Sequence, residues 1–248
     1  MDRTYWEKIA PDYNEEIFDV LKNDSKKIIA SAIKKLASKQ KSVIDIGCAI
    51  GKWLPLLSPG FKKVYAVDIS LENLTIAKKL YPNLDNVTYA RADMSDPRAK
   101  VVKCDVAICI NAILTHSATK RRVFFNNLEK AVKKKGHLIL VIPSLESSML
   151  TSILRQRWNP DKDADDVVNK RKSTEQLKNL LQGNAEIDKV PTKHYLKEEL
   201  ELLLKLDGFE TLAFNKIEYE WSTEFLKPPE WLKKPLPWDW MVVAKRIR

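Results

Sequence analysis

The sequence predicts an α/β protein built on a mostly parallel β-sheet with helices on both faces. Apolar runs typical of buried strands, at residues 43–46, 64–67 and 104–110, are separated by segments with helical periodicity. The first run leads into a turn that carries Gly47 and Gly51. A glycine turn lets the chain leave a strand sharply and enter a helix, and this order of elements is typical of a parallel sheet.

The remaining elements bring the number of predicted strands to seven. Further strands are predicted at 86–94, 135–143, 210–219 and 238–245, and helices at 71–80, 119–134 and 194–208, with shorter helical pieces within 3–38. Lys133 to Lys135 are expected near the carboxyl end of the 119–134 helix, where cations complement the helix dipole, with Gly136 ending that helix.

Composition fits one folded domain. The 248 residues suit a single α/β unit with a full core, and 44% of them are hydrophobic. No apolar run approaches the ~20 residues that cross a bilayer, and the first residues lack the apolar core of a secretory signal. Cys48, Cys104 and Cys109 form no Cys-x-x-Cys motif, which indicates buried free thiols in a reducing compartment. We therefore expect a soluble cytoplasmic protein without a membrane partner.

The formal net charge of +10 has two interpretations. It favours a nucleic-acid surface, since lysine and arginine neutralise phosphates. The lysines, however, are scattered in pairs such as Lys26-Lys27 and Lys78-Lys79, and no arginine is interleaved with aromatic residues as in proteins that stack on single-stranded RNA. Solvated helix faces therefore fit the charge pattern better than a nucleic-acid patch.

The end of the second strand indicates a nucleoside cofactor. Asp68 follows Gly47 by about twenty residues, a position from which a carboxylate can hold both hydroxyls of a ribose. The dinucleotide fingerprint Gly-x-Gly-x-x-Gly fits poorly, because Gly47, Ala49 and Lys52 stand at its three glycine positions.

The spacing Asp45-x-Gly47-x-x-x-Gly51 instead resembles motif I of the class I S-adenosylmethionine (SAM) methyltransferases. That family often has a glycine where this chain has Ala49. The alternative is an ordinary strand–turn–helix corner whose glycines serve only to make the turn tight.

Two later segments are similar to the same family. The strand at 86–94 ends with Asp93, whose counterpart accepts a hydrogen bond from the adenine amino group, and with Met94, which would border the ring. The strand at 104–110 delivers Asn111 to its carboxyl end. The resemblance implies SAM as cofactor and S-adenosylhomocysteine (SAH) as product. No metal-ligand spacing stands out in the sequence, so we expect no metal. The cofactor-binding residues that we predict are Asp45, Gly47, Cys48, Gly51, Asp68, Ile69, Asp93, Met94 and Asn111.

The resemblance also specifies the architecture. It implies a Rossmann-like, seven-stranded, mostly parallel sheet with an antiparallel last strand, helices on both faces and helical lid additions. We expect one domain over residues 1–248. Its parts are an N-terminal helical cap (1–38), a cofactor-binding core (40–144), a substrate-side insertion (145–190) and a C-terminal helix with strands (191–248).

Aromatic residues near the N-terminus are candidates for a lid. Tyr5, Trp6 and Tyr13 lie on a segment that resembles the short helix covering the cofactor in many small-molecule methyltransferases. A helix that only packs on the core is the alternative.

A second aromatic group is a candidate for the substrate pocket. Residues 145–190 and 221–237 follow the fifth and sixth strands, so both leave from the edge of the sheet where ligands bind. Trp221, Phe225 and Trp231 could line an apolar pocket there, or only pack the loop that carries them.

His116 is the candidate general base. It lies in the segment after the fourth strand, where the family often has a histidine beside the methyl group, and its ordinary pKa suits base chemistry near neutrality. A structural histidine is the alternative. Asp161, Asp163, Asp165 and Asp166 suggest a metal site, but the neighbouring basic residues favour salt-bridged helices instead.

These observations predict a SAM-dependent methyltransferase that transfers the methyl group to a small molecule by in-line displacement. The sulfonium is already an activated donor, so alignment and exclusion of water are the main requirements. The alternatives are an RNA or protein methyltransferase, favoured by the positive charge, and a non-catalytic SAM-binding protein.

Overall fold

A computed structural model describes residues 2–158, 179, 181–187 and 190–248. Its strands are β1 (Ser38–Ile46), β2 (Phe61–Asp68), β3 (Val87–Arg91), β4 (Cys104–Ile110), β5 (Val132–Pro143), β6 (Asn184–Ile187), β7 (Val190–Lys193), β8 (Phe209–Glu218) and β9 (Trp238–Arg246). Its α-helices are α1 (Arg3–Ile9), α2 (Tyr13–Glu16), α3 (Val20–Asn23), α4 (Ile28–Leu36), α5 (Leu54–Leu57), α6 (Leu71–Leu80), α7 (Ala118–Ala131), α8 (Leu145–Trp158) and α9 (Lys197–Leu206).

Seven strands form one sheet in the order β3-β2-β1-β4-β5-β9-β8, while β6 and β7 form a separate antiparallel pair. Strands β1 to β5 pair in parallel, and β9 runs antiparallel to both β5 and β8. The predicted fold class, including the antiparallel last strand, is confirmed. The carboxyl ends of the other six strands therefore share one edge with the amino end of β9.

The two faces of the sheet carry separate apolar layers because successive side chains of a strand point to opposite sides. On one face, Val43 packs with Ile29 and Ile33 of α4. On the other face, Ile44 packs in the layer that holds Leu128 of α7 and Leu200 of α9. Both faces are thus covered by helices, as a parallel sheet requires.

Short side chains begin several helices where the sequence indicates. Ser70 is the N-cap of α6 and its Oγ accepts from Asn73 N at 3.1 Å. Asp24 caps α4, since its two carboxylate oxygens accept from Ile28 N and Ile29 N, both at 2.9 Å. These caps fix the helices that flank the edge described next.

The predicted helix over 119–134 is wrong at its end. Helix α7 stops at Ala131, and Lys133 to Lys135 belong to β5. Arg246 of β9 causes this stop in part, since its Nη1 donates to Glu129 O and Val132 O. Gly136 lies inside the strand, where a Cβ would come within 2.8 Å of Asp105 O.

Among the described helices, none is both long and apolar enough to span a bilayer.

Candidate cofactor and substrate site

A cavity, partly open to solvent, lies at the carboxyl ends of β1, β2 and β4. Of the residues predicted from the sequence, the lining includes Trp6, Tyr13, Gly47, Asp68, Ile69, Asp93, Met94 and Asn111. Residues separated by up to about a hundred positions are thus brought to one place by the parallel strand ends.

Gly47 forms the wall of the cavity after β1. Its φ is +73°, and a Cβ at this position would lie 2.4 Å from Ala112 Cβ. The amides of Gly47 and Cys48 donate to Val67 O at 2.8 and 3.0 Å, which ties the turn to the end of β2. Bare backbone therefore faces the cavity at a position where a side chain does not fit.

Two further positions complete the turn. Ala49 has a φ of +47°, a left-handed conformation in which the family's glycine would be unstrained. Gly51 has a φ of +82°, and a Cβ there would lie 2.7 Å from Leu54 Cδ1 and 3.2 Å from Ala77 Cβ. Gly51 and Cys48 thus shape the turn, although neither belongs to the cavity lining.

Asp68, at the end of β2, organises the turn and the start of α6. Its Oδ2 accepts from Ala49 N at 2.8 Å, and its Oδ1 accepts from Ser70 N at 2.8 Å and from Asn73 Nδ2 at 3.4 Å. Burial raises the pKa of this carboxyl, against the opposing effect of these hydrogen bonds. Since each carboxylate oxygen has two lone pairs, Oδ2 can accept one more donor from the cavity.

Asp45, at the end of β1, is a buried acid that lacks a donor. It is 2% exposed, and among the described residues Oδ2 has no hydrogen-bond partner. Burial, and secondarily the charge of Asp68, raises the pKa of Asp45 to about 8. A buried acceptor of this kind is stabilised by a ligand that supplies an N–H donor or a positive charge.

Asn111 connects the cavity to a residue that the sequence analysis missed. Its φ is +48°, its amide donates to Val141 O at 2.9 Å, and its Nδ2 donates to Asp239 Oδ2 at 2.8 Å. The hydroxyl of Tyr219 donates to the same oxygen of Asp239 at 2.8 Å. Asp239 stands between Trp238 and Trp240 in the sequence, and a lone acid in an apolar strand was the signal that could have identified it.

The N-terminal segment covers one side of the cavity. Trp6 and Tyr13 line it, and Tyr5 lies against Trp6 with ring centroids 5.1 Å apart. Lys52 Nζ lies 2.7 Å from Asp19 Oδ2 and 5.6 Å from the centroid of the Tyr13 ring, and so holds this segment to the turn.

Glu7, also missed by the sequence analysis, attaches α1 to α6. Its carboxylate accepts from Leu71 N, Glu72 N and Ser70 Oγ, each at 3.0 Å. Two of these donors are amides of the first turn of α6, where a negative charge is stabilised by the helix dipole. This helix begins directly after the strand that delivers Asp68.

The other predicted residues lie away from the lining. Trp221 and Phe225 stack at 5.5 Å and form a buried cluster with Leu154 and Leu232, while Trp231 is 59% exposed. His116 is exposed, next to Thr115, which lines the cavity. The structure does not bring these aromatic side chains to His116.

Two other histidines have defined surroundings. His194 is buried with Nδ1 3.0 Å from Thr192 O, and His137 pairs with Lys245 near the opposite edge of the sheet. The acidic residues at 161–166 and the basic residues at 170–172 lie outside the described residues, so neither interpretation of them is tested.

Comparison with known proteins finds a family that matches part of the chain. Residues 43–136 match the family described as "Methyltransferase domain". Among curated proteins, no sequence matches the chain.

Solved structures share the fold at low identity. A SAM-dependent methyltransferase from Methanosarcina mazei is 18% identical, with a TM-score of 0.61 over 87% of this chain and 97% of that one. The N-methyltransferase NodS from Bradyrhizobium japonicum, in complex with SAH, is 11% identical, with a TM-score of 0.64 over 99% and 98%. A structure described by the conversion of a disulfide into a thioacetal during echinomycin biosynthesis is 16% identical, with a TM-score of 0.55 over 88% and 81%. The family match thus identifies a methyltransferase domain at residues 43–136, which include the strand ends around the cavity, and the solved structures share the fold along the chain.

Proposed function

We propose that this protein transfers the methyl group of SAM to a small-molecule acceptor by in-line displacement, in the cytoplasm. The proposal rests on the position of the N-terminal segment, which covers one side of the cavity. Glu7 attaches it to α6, and the Lys52–Asp19 pair attaches it to the turn. A covered site admits a small molecule more readily than a nucleic-acid duplex or a folded protein. The solved structure from echinomycin biosynthesis is consistent with an acceptor of this class.

Within this proposal, the predicted cofactor residues divide along the sheet edge. Asp93 and Met94 would border the adenine, and Asp68 and Ile69 the ribose. The backbone at Gly47, shaped by Cys48 and Gly51, would lie against the amino-acid end of the cofactor. Asp45 and Asn111, whose buried oxygens Oδ2 and Oδ1 have no donor among the described residues, would accept from its ammonium group.

The cofactor supplies an activated methyl group, and the protein supplies alignment and exclusion of water. Trp6 and Tyr13 line one side of the cavity, and Tyr5 lies against Trp6, so these residues are the candidates for excluding water. His116 remains the predicted general base; it is exposed and directly follows Thr115, which lines the cavity. Trp221, Phe225 and Trp231 remain predicted to act on the substrate side, together with the insertion at 145–190. The division into parts at 1–38, 40–144, 145–190 and 191–248 is proposed on the same basis.

One observation favours an RNA or protein acceptor instead. Arg3, Arg91 and Lys100 line a second, more open depression beside Asp93. Three cations at the rim could bind phosphates. Asp93 and Asp96 line the same depression, however, and their negative charge reduces its attraction for phosphate.

Methyl transfer from labelled SAM distinguishes these acceptors. The protein is incubated with labelled SAM and a cell extract separated by size, and the label in each fraction is counted. We expect label among small metabolites. Label in RNA or protein would contradict the small-molecule proposal, and SAM binding without label in any fraction would support a non-catalytic role.

A further inference from the structure

Asp239 is a carboxylate at the cavity edge of the sheet that the proposed cofactor contacts do not use. Because β9 is antiparallel to its neighbours, its second residue lies at the carboxyl ends of the strands on both sides. Asp239 pairs with Pro143, the last residue of β5, and with Ile217 near the end of β8. The topology therefore places an acid at the ligand-binding edge, next to β4 and β5.

The hydrogen bonds of Asp239 leave part of the carboxylate unused. Oδ2 accepts from Asn111 Nδ2 and from the Tyr219 hydroxyl, both at 2.8 Å. No described residue donates to Oδ1, and none forms an ion pair with Asp239. Both donors are neutral, so the charge is not compensated, and burial raises the pKa of this carboxyl. A partly buried carboxylate without a cation is stabilised when a ligand brings one.

The strand order places Asp239 on the side of the acceptor. Asp93 follows β3 and Asp68 ends β2, so the adenine and the ribose of the proposed cofactor lie toward the β3 edge. Continuing along the sheet, the order passes β1 and then β4, which is followed by Asn111, before it reaches β5 and β9. Asp239 therefore lies beyond the amino-acid end of the cofactor, in contact with Asn111 of the cavity lining.

Tyr219, which donates its hydroxyl to this carboxylate, connects it to the N-terminal segment. The ring of Tyr219 contacts that of Phe18 edge to face, with centroids 4.6 Å apart. Phe18 belongs to the N-terminal segment and is 42% exposed, whereas Tyr219 is 5% exposed. A carboxylate with a free oxygen is a charge-assisted acceptor for the N–H group of a nitrogen cation.

We propose that Asp239 binds the methyl acceptor as an ammonium ion and takes up one of its protons, so that the acceptor belongs to the class of small amines. The neutral nitrogen then attacks the methyl group as the bond between that group and the sulfur of SAM breaks, which leaves SAH. The inference rests on the proposed function, because it assumes that the cofactor occupies the cavity with its methyl group toward Asn111. Asn111 and Tyr219 then act as positioning residues that hold one oxygen of Asp239 and direct the other at the acceptor nitrogen. An acceptor that presents a carboxylate at this point would be repelled by Asp239.

Sinefungin provides a test that does not require the natural acceptor. This SAM analogue has a carbon with an amino group in place of the methylated sulfur, so its amine points where the methyl group would be transferred. SAH has the same skeleton without that amine. Calorimetric titration of both ligands into the whole protein therefore isolates the contribution of an amine at the methyl position.

We expect wild-type protein to bind sinefungin about 10- to 100-fold more tightly than SAH, as a charge-assisted hydrogen bond would provide. Asp239→Asn should remove most of this preference and leave the Kd of SAH within about twofold. Asp105→Asn is the matched control, since Asp105 lies at the amino end of β4 and binds Ser42. It should leave both Kd values unchanged.

Equal changes in both ligands with Asp239→Asn, or no change in either, would overturn the inference while leaving the proposed function intact. If wild-type protein binds no SAH, the proposed function fails as well. Should Asp239→Asn not fold, Tyr219→Phe keeps the ring against Phe18 and removes one of the two hydrogen bonds. It should reduce sinefungin affinity several-fold with SAH affinity unchanged, and an equal loss for both ligands would overturn the inference.

Discussion

Replacement of Gly47 by alanine tests whether bare backbone at the cavity wall is required by the fold. The residue has a φ of +73°, where an L side chain costs roughly 1–2 kcal/mol relative to glycine. The new Cβ would also start 2.4 Å from Ala112 Cβ, and overpacking of this kind typically costs about 1–3 kcal/mol. Together these effects predict a loss of roughly 2–5 kcal/mol in the free energy of unfolding.

Urea denaturation of Gly47→Ala and of Gly60→Ala measures this effect against a matched control. Gly60 does not have a positive φ, and a Cβ there would lie 3.2 Å from Ala37 Cβ, so the second substitution should change stability far less. Isothermal titration with SAM gives a second readout, because movement of Ala112 would alter the cavity wall. A Gly47→Ala variant within about 0.5 kcal/mol of the wild type would refute the steric argument.

Three further predictions concern the site. Asp68→Asn removes the charge that would hold the ribose hydroxyls, so SAM affinity measured by titration should fall by about 1–3 kcal/mol; an unchanged Kd in a folded variant would contradict the assignment. For Asp45, the pKa is raised from 3.8 to about 8, so the protonated form stabilises the native state fully below pH 3.8 and this contribution is lost as the pH rises toward 8. In urea denaturation between pH 6 and 8, the free energy of unfolding of the wild type should therefore fall by up to about 1.4 kcal/mol per pH unit relative to that of Asp45→Asn. If the two free energies change equally with pH, the raised pKa of Asp45 is excluded. Finally, His116→Ala should lower the rate of label transfer without changing the Kd of SAM if His116 is a base, and unchanged transfer would assign it a structural role.

The sheet could be predicted from the sequence because each strand has its own local signal. Continuous apolar runs such as 104–110 belong to strands buried on both faces, and the alternation of Trp238, Trp240 and Val242 belongs to β9, where these side chains share one apolar layer. The start of β5 could not be predicted in this way. Three consecutive lysines before a glycine are typical of a helix end, and only the pairing of Val132 with Cys104 and the contacts of Arg246 select a strand.

The site shows the same division between local and long-range information. The positions of Gly47, Asp68 and Asp93 relative to the predicted strands can be recognised in the sequence. The contacts of Asn111 with Asp239 and of Glu7 with Leu71 join residues 128 and 64 positions apart, and no local pattern encodes them. Trp221 and Phe225 illustrate a third case. An aromatic residue in a loop has the same sequence signature whether it lines a pocket or packs a cluster, and here both are buried in a cluster with Leu154.

The attachment of Glu7 to the start of α6 has a consequence for the catalytic cycle. If the cofactor lies beneath this segment, as we propose, the segment must move before spent cofactor leaves and fresh cofactor enters. That movement would break three contacts of one carboxylate and leave two amides of α6 without their acceptor. Opening of the segment therefore costs free energy, and we expect the release of SAH to limit the rate of repeated turnovers.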